Sequence, residues 1–407
     1  MNSAFQNLDP LVLGQKLRQA RSGTTLTQAA AAKALGMART TLVAIEKGER
    51  KVAAAELPGF ADLYGTQVSD LVRDEITSEP LLPQFRALHN EEEISQDLKE
   101  SVRSLEGLAR DYLNLEHAAG ANVLTNYPPT YQYRISNVNA DHMGAEVAAE
   151  ERKRLSLGET PIRDLRALLE EEVGLRIFYL KLPAQVSGIY AFTEELGGCV
   201  AINRAHPASR SSWSLAHEYG HFLSTRTAAD VSFSQQTGWG KAYDERFADS
   251  FAKNFLMPRN GVHQSLTRIL AAEGGGITVA HVLSLSHKFN VSAQAMFRRL
   301  EELKRLPHGT WEKLVEQNFK PETAKETLGL SNTRREPMLP FRYRLLAQRA
   351  FDKPESEMTE AEFSQLLRTD LVSARGELDE LRCLVDQGDD SGFTVLSVNV
   401  TDEILSA

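Results

Sequence analysis

The sequence feature that most restricts the possible folds is the pentapeptide His217-Glu218-Tyr219-Gly220-His221. On a helix, positions i and i+4 share a face, so His217 and His221 can bind one zinc ion. Glu218 would then face the water that the metal activates, which is the arrangement that hydrolysis needs. The neighbouring residues predict that this helix is buried and its site dry, because they are apolar: Trp213, Leu215, Phe222 and Leu223.

A catalytic zinc usually has three protein ligands and one open position, so a further ligand must come from elsewhere in the chain. Residues 244–258, DERFADSFAKNFLMP, predict a second helix with one apolar side. This segment resembles the thermolysin-like arrangement, in which a glutamate ligand is followed four residues later by an aspartate that orients a ligand histidine. The resemblance implies that Glu245 is the third ligand and that Asp249 holds His217 or His221.

Two alternatives to this assignment remain open at this stage. Asp244 is a rival ligand, but it points about 100° away from Glu245 round the helix, so only one of the two easily faces the metal. The Glu-to-Asp spacing favours Glu245. Alternatively, these acidic residues form an ordinary solvated helix face.

The two motifs together resemble the ImmA/IrrE family of metallopeptidases. The resemblance is carried by AHEYGHFL followed by ExxADxFAxNFLMP, and it extends from about residue 145, through AIN at 201–203, to about residue 300. It implies a zincin fold, a bound Zn²⁺ and cleavage of a repressor partner. Asn254 stands where small residues are usual in the family.

The N-terminal segment has a different character. Apolar residues recur at helical spacing from Leu11 to Val72, and glycines interrupt them, which predicts a compact module of short helices. Residues 11–52 contain eight basic and two acidic side chains, although the whole chain carries a net charge of -9. This local excess of positive charge predicts a surface that binds anions.

The same segment resembles the Xre, or lambda-repressor-like, helix-turn-helix family through LRQAR, LTQ, a turn at Gly36 and IEKGER. The resemblance implies that a helix from Ala38 to Glu46 enters the major groove of a double-stranded DNA operator. Arg39, Thr40 and Thr41 are the expected base contacts. The expected phosphate contacts are Gln28, which also approaches a base, and the basic residues Lys47, Arg50 and Lys51. One such domain binds weakly, which favours a homodimer on a near-palindromic site. For each basic residue taken alone, a solvated face is the alternative.

These features predict a multidomain protein that is mostly α, with an α+β zincin-like core. The predicted domains are an all-α helix-turn-helix domain at 10–75, a helical linker at 76–139, a metallopeptidase domain with a helical subdomain at 140–305, and a helical C-terminal region at 306–407 with a conjectured sensory role. Residues 145–172 predict two helices, the second capped near Thr160 and Pro161. The runs VGLRIFYL and GIYAFTEELGGCVAIN predict strands, and GFTVLSVNV predicts a final strand. The apolar stripe from Ile94 to Leu115 predicts a helix that packs on its own domain rather than a dimerising coiled coil.

The composition bounds the cellular setting. No apolar run approaches the roughly 20 residues that span a bilayer, so no membrane segment is predicted. The first residues do not resemble a secretory signal, and the two cysteines are too few for a disulfide framework, which favours the cytoplasm.

The predicted function is that of a DNA-binding transcriptional regulator, responding to stress or another signal, whose zinc endopeptidase cleaves a repressor or other regulatory protein. The alternative is a transcription factor whose zincin domain senses a ligand or metal without proteolysis. A third hypothesis, an antitoxin-like partner of a toxin, depends on the helix-turn-helix alone.

Overall fold

The computed structural model of the 407-residue chain describes residues 10–22, 24, 26–66, 68, 71, 81, 95–121, 126–131, 139–226, 230–233, 243–330, 336–356 and 358–390. The chain forms two compact units, Met1–Ala87 and Leu88–Ala407. The final strand predicted for GFTVLSVNV lies outside the described residues. Among the described residues, no helix combines the length and the apolar character that crossing a membrane would require.

The elements that the structure describes in the first unit are the short helices α1 (Pro10–Ser22), α2 (Gln28–Ala34), α3 (Arg39–Glu46) and α4 (Leu57–Tyr64). Thr27 caps α2, because its hydroxyl accepts a hydrogen bond from the Ala30 backbone N–H at 3.2 Å. Gly36 follows α2 with φ = 67°, a left-handed conformation that glycine adopts without steric cost. The helices and the turn at Gly36 therefore agree with the helix-turn-helix predicted from the sequence. The helices enclose a core that contains Leu17, Leu42, Ile45 and Phe60.

The second unit is built around a four-stranded sheet. Its strands are β1 (Arg176–Leu180), β2 (Val186–Thr193), β3 (Gly197–Asn203) and β4 (Asp230–Phe233), in the order β1-β3-β2-β4. β1 runs parallel to β3, and the other neighbours are antiparallel. Every residue of β1 and β3 is buried, which explains why these segments read as nearly continuous apolar runs.

Helices surround this sheet, as the predicted α+β core requires. Before and between the strands lie α5 (Gln96–Ala119), α6 (Ala140–Arg154), α7 (Leu165–Leu168) and α8 (Ala208–Ser224). After them come α9 (Tyr243–Leu256), α10 (Arg259–Glu273), α11 (Val279–Lys288), α12 (Ala293–Glu302), α13 (Thr310–Glu316), α14 (Pro321–Thr327), α15 (Phe341–Phe351), α16 (Glu360–Leu366) and α17 (Leu371–Asp390). α7 continues into one turn of π-helix over Leu169–Val173.

Helix α7 begins later than the sequence indicated. Thr160 and Pro161 were expected to mark its start, but its cap is Asp164, whose carboxylate accepts a hydrogen bond from the Ala167 N–H at 2.9 Å. Aspartate ranks above threonine as an N-cap residue, which accounts for the start at Asp164.

Glycines allow the helices that carry the candidate metal ligands to pack closely. A Cβ atom at Gly144 of α6 would lie 2.6 Å from the Phe247 carbonyl oxygen of α9. A Cβ at Gly220 of α8 would lie 3.0 Å from the Cα of Ala248 on the same helix α9. Helix α9 therefore packs closely against both α6 and α8.

Helix α5 packs against the sheet of the second unit. The Tyr112 ring lies 6.4 Å from the Phe178 ring of β1, and Glu116 accepts a hydrogen bond from Arg176 of β1 at 2.7 Å. The Tyr112 ring also lies 5.5 Å from the ring of Tyr343 of α15, which in turn lies 6.4 Å from the Phe178 ring. The sequence placed this helix within a linker, because its periodicity reveals an apolar face without revealing what that face contacts.

Candidate metal centre and nucleic-acid interface

Three candidate ligands from two helices converge at one point. His217 and His221 lie one turn apart on α8, and Glu245 lies in the first turn of α9. The Nε2 atoms of the two histidines are 3.1 Å apart. The Glu245 oxygens lie 3.7 Å from His217 Nε2 and 3.3 Å from His221 Nε2. The cluster includes Glu245 and not its neighbour Asp244.

These distances fit a small tetrahedral metal ion. Donors that each lie about 2.0–2.1 Å from a central zinc in tetrahedral geometry are separated from one another by about 3.3 Å. The histidine nitrogens are 3.1 Å apart, and the Glu245 carboxylate approaches them to 3.3 Å through Oε1 at His221 and 3.7 Å through Oε2 at His217, all close to this value. Two imidazoles and one carboxylate also form a donor set that zinc hydrolases use. The residues present therefore fit a metal ion with three protein ligands and an open fourth position.

Asp249 lies one turn beyond Glu245 on α9 and contacts His217. Its Oδ1 is 3.1 Å from His217 Nδ1. A carboxylate at this position favours the tautomer that carries its proton on Nδ1, which leaves Nε2 available to a metal. The sequence left open which histidine Asp249 contacts, and in the structure this carboxylate lies against His217.

The charge state of Glu245 also suits a ligand. Burial would raise the pKa of its carboxyl group, but the hydrogen bond with His221 and the charges of the two histidines outweigh burial and lower the pKa below its ordinary value. The carboxylate is therefore ionised at neutral pH, and an ionised carboxylate is the form that binds metal.

Glu218 is completely buried and lies against strand β2. A Cβ atom at Gly188 of β2 would be only 2.3 Å from Glu218 Oε1. Gly188 thus leaves the space that the Glu218 carboxylate occupies. Gly188 was not identified from the sequence, although a glycine within a strand pattern is a known sign of a close approach.

The candidate DNA contacts lie on and after α3. Arg39 and Thr40 at its start are exposed, and Thr41 is partly exposed. Lys47, Arg50 and Lys51 follow the helix and are also exposed. Two of these three have acidic neighbours, since Arg50 pairs with Glu56 at 3.0 Å and Lys47 lies 4.0 Å from Glu49.

Gln28, at the start of α2, makes a hydrogen bond within the first unit. Its side-chain amide donates a hydrogen bond to Glu46 Oε2 at 2.7 Å, within the unit. Glu46 is buried, and Arg21 donates to its other oxygen at 2.6 Å. Glu46 therefore joins α1, α2 and α3, a structural role that the count of charges along the segment did not reveal.

Two family models match the chain. A helix-turn-helix domain matches residues 12–74, and an IrrE N-terminal-like domain matches residues 170–301. No curated protein matches the chain. The two domain matches confirm the predicted order, in which a helix-turn-helix domain precedes an ImmA/IrrE-like, metallopeptidase-like domain.

Proposed function

We propose that this protein, a helix-turn-helix regulator with an IrrE N-terminal-like domain, binds an operator through its first unit and hydrolyses a regulatory protein in its second. The observation that carries the proposal is the cluster of His217, His221 and Glu245, whose nitrogen and carboxylate oxygen atoms approach one another to 3.1–3.7 Å. The buried Glu218 follows the first of these ligands on the same helix. The metal that we propose is zinc, because two histidines and one glutamate are a donor set that zinc hydrolases use.

The residues of the candidate metal centre would have separate roles in peptide hydrolysis. His217, His221 and Glu245 would hold the ion, and Asp249 would orient His217. When bound, such an ion supplies Lewis acidity, which activates water and polarises a peptide carbonyl. Glu218 would accept a proton from the attacking water and pass it to the leaving amine. The Glu218 carboxylate is completely buried, so bulk water competes little with the reacting groups for its proton.

The substrate that we propose is a repressor. A chain that binds an operator and also hydrolyses a regulatory protein can change transcription in response to stress or another signal. A homodimer on a near-palindromic operator is part of this proposal, because one helix-turn-helix domain contacts few base pairs.

The test of proteolysis compares the wild-type protein with Glu218→Gln, using candidate repressors encoded near the gene as substrates. The wild-type protein should cleave one of them, and the variant should not, although it should bind the same amount of metal. A wild-type protein that binds metal and operator but cleaves no candidate would favour the alternative of a sensor without proteolysis.

The test of DNA binding uses the substitution Arg39→Ala. It should weaken binding to the specific operator by about 1–3 kcal/mol, because a bidentate contact to a base is lost. Metal content should not change. Arg298→Ala, which removes an exposed arginine from α12 of the second unit, is the matched control and should leave operator affinity unchanged. Equal affinities of the wild type and Arg39→Ala would refute the assignment of this contact.

A further inference from the structure

Tyr219 lies between the two ligand histidines in sequence and faces the opposite side of α8. It is two residues after His217 and two before His221, which places it about 200° away from each round the helix. Its side chain is completely buried, and its hydroxyl donates a hydrogen bond to Glu151 Oε2 of α6 at 2.6 Å. A polar contact on the face of α8 opposite the ligands therefore joins this helix to α6.

Glu151 is itself completely buried and has several donors. Arg154 Nε lies 3.1 and 3.0 Å from the two carboxylate oxygens, and Arg154 Nη2 lies 3.2 Å from the Tyr219 hydroxyl. The Tyr131 hydroxyl is 3.5 Å from Glu151, and the Tyr131 backbone N–H donates to the Leu223 carbonyl near the end of α8 at 2.9 Å. The buried charge is thus matched by Arg154 and fixed in direction by hydrogen bonds.

The ring of Tyr219 also contacts the helix that carries the third ligand. Its centroid lies 5.6 Å from the Phe251 ring and 5.9 Å from the Phe255 ring, both on α9. One side chain therefore contacts α6 through its hydroxyl and α9 through its ring. Since α8 supplies two ligands and α9 the third, Tyr219 lies where the relative position of the two helices is set.

Apolar packing alone would stabilise these helices without requiring a buried ion pair. Replacing a buried pair with apolar residues of similar volume is often neutral or stabilising, so stability is a weak reason to retain one. Hydrogen bonds add direction, which apolar contacts lack. A metal site needs that direction, because its ligands must be held within about 0.5 Å of their working geometry.

We infer that Tyr219 and Glu151 form a positioning pair that fixes the rotation of α8 about its axis, and with it the placement of His217 and His221 relative to Glu245. The inference depends on the metal centre of the proposed function, and it assigns to the tyrosine hydroxyl an effect on metal binding. Tyr219 itself is not a ligand and is not a catalytic residue.

The experiment uses Tyr219→Phe in the full chain, a substitution that removes only the hydroxyl. Zinc affinity is measured by competition with a chromogenic chelator, and ligand geometry by the visible absorption spectrum of the protein loaded with Co²⁺. The affinity of Tyr219→Phe for zinc should fall about 10-fold, in the range found when groups that support metal ligands are removed. Its cobalt spectrum should change as well.

The matched control is Tyr343→Phe. Tyr343 is also completely buried, and its hydroxyl donates to the Leu366 carbonyl at 3.1 Å, but it lies on α15 in the C-terminal helical region. This control should lower the melting temperature as Tyr219→Phe does, with no effect on zinc affinity or on the cobalt spectrum. A second variant, Glu151→Gln, keeps an oxygen that accepts the Tyr219 hydrogen bond, so it should retain affinity closer to that of the wild type.

The outcomes separate this inference from the proposed function. Wild-type affinity and an unchanged spectrum in Tyr219→Phe would overturn the inference and leave the metal centre intact. An equal loss of zinc affinity in Tyr343→Phe would also overturn it, because the effect would then be general destabilisation. A wild-type protein that binds neither ion would overturn both.

Discussion

Gly188→Ala tests whether Glu218 works in the position that the structure gives it. The new Cβ would lie 2.3 Å from Glu218 Oε1, whereas Cβ atoms in proteins essentially never come within 3.0 Å of a heavy atom that lies outside their own and the neighbouring residues. The oxygen must therefore move by at least the difference between 3.0 and 2.3 Å, which is 0.7 Å. Gly188 does not have a positive φ, so alanine fits the backbone, and the flexible carboxylate is the group that yields.

The displacement should reduce the rate of hydrolysis and spare the metal. A misplacement of about 1 Å in a catalytic group can cost about 100-fold in rate. We therefore expect kcat to fall by about that factor in Gly188→Ala. Zinc affinity should be unchanged, because the 2.3 Å approach is to Glu218, which is not one of the three ligands.

The assay measures the initial rate of cleavage of the substrate found in the Glu218→Gln comparison, together with zinc affinity by chelator competition. Gly376→Ala is the control, because a Cβ at Gly376 on α17 would meet no heavy atom within 4 Å. It should retain the wild-type rate. Wild-type kcat in Gly188→Ala would refute the reasoning that the position of Glu218 limits the reaction.

Three other substitutions test separate parts of the account. Asp249→Asn should weaken zinc affinity about 10- to 100-fold, because the His217 ring loses the charge that orients it, and chelator competition would show no change if this role is wrong. Burial, opposed by Arg166, raises the pKa of Glu170 from 4.5 to about 7. The folded state therefore holds this proton more tightly than the unfolded chain, and it loses about 3 kcal/mol of stability as the pH rises from 4.5 to above 7. Urea unfolding at pH 5 and pH 8 should show that Glu170→Gln lacks this loss of stability. Tryptophan fluorescence is a suitable probe, because all three tryptophans lie in the second unit. A pH dependence of stability parallel to that of the wild type would contradict the prediction. Glu116→Ala should cost about 3–5 kcal/mol in the same unfolding assay, because it leaves the buried Arg176 without its carboxylate, and a cost below 1 kcal/mol would contradict the assignment.

The sequence indicated the parts of the metal centre that depend on local spacing. The i and i+4 positions of His217 and His221 follow from helix geometry, and so does the single turn between Glu245 and Asp249. The sequence did not indicate which histidine Asp249 contacts, because that depends on how α8 and α9 pack. The IrrE N-terminal-like match and the cluster of ligands in the structure support the pattern that was read from residue types alone.

Contacts between distant residues account for most of what the sequence could not reveal. Tyr219 and Glu151 are separated by 68 residues, and no periodicity predicts that their side chains meet. Gly188 and Glu218 are neighbours only because β2 lies against α8. In the same way, the apolar stripe of α5 predicted a buried face, but only the folded chain shows that β1 and α15 cover it.

Charged residues in the first unit illustrate a different difficulty. Glu46 was counted among the few acidic residues of a basic segment, yet it is buried and accepts hydrogen bonds from Arg21 and Gln28. Charge patterns describe a surface well only when the charged groups lie on it. The partners of Glu46 come from α1 and α2, so they are not adjacent to it in sequence.

Equilibrium titration of the metal-free full-length protein with zinc tests the central claim most directly. The wild type should bind one equivalent of zinc per chain at the cluster, and Glu245→Ala should lose this tight binding while its circular dichroism spectrum stays the same. A wild-type protein that takes up no zinc, or a Glu245→Ala variant that binds zinc as tightly as the wild type, would contradict the account.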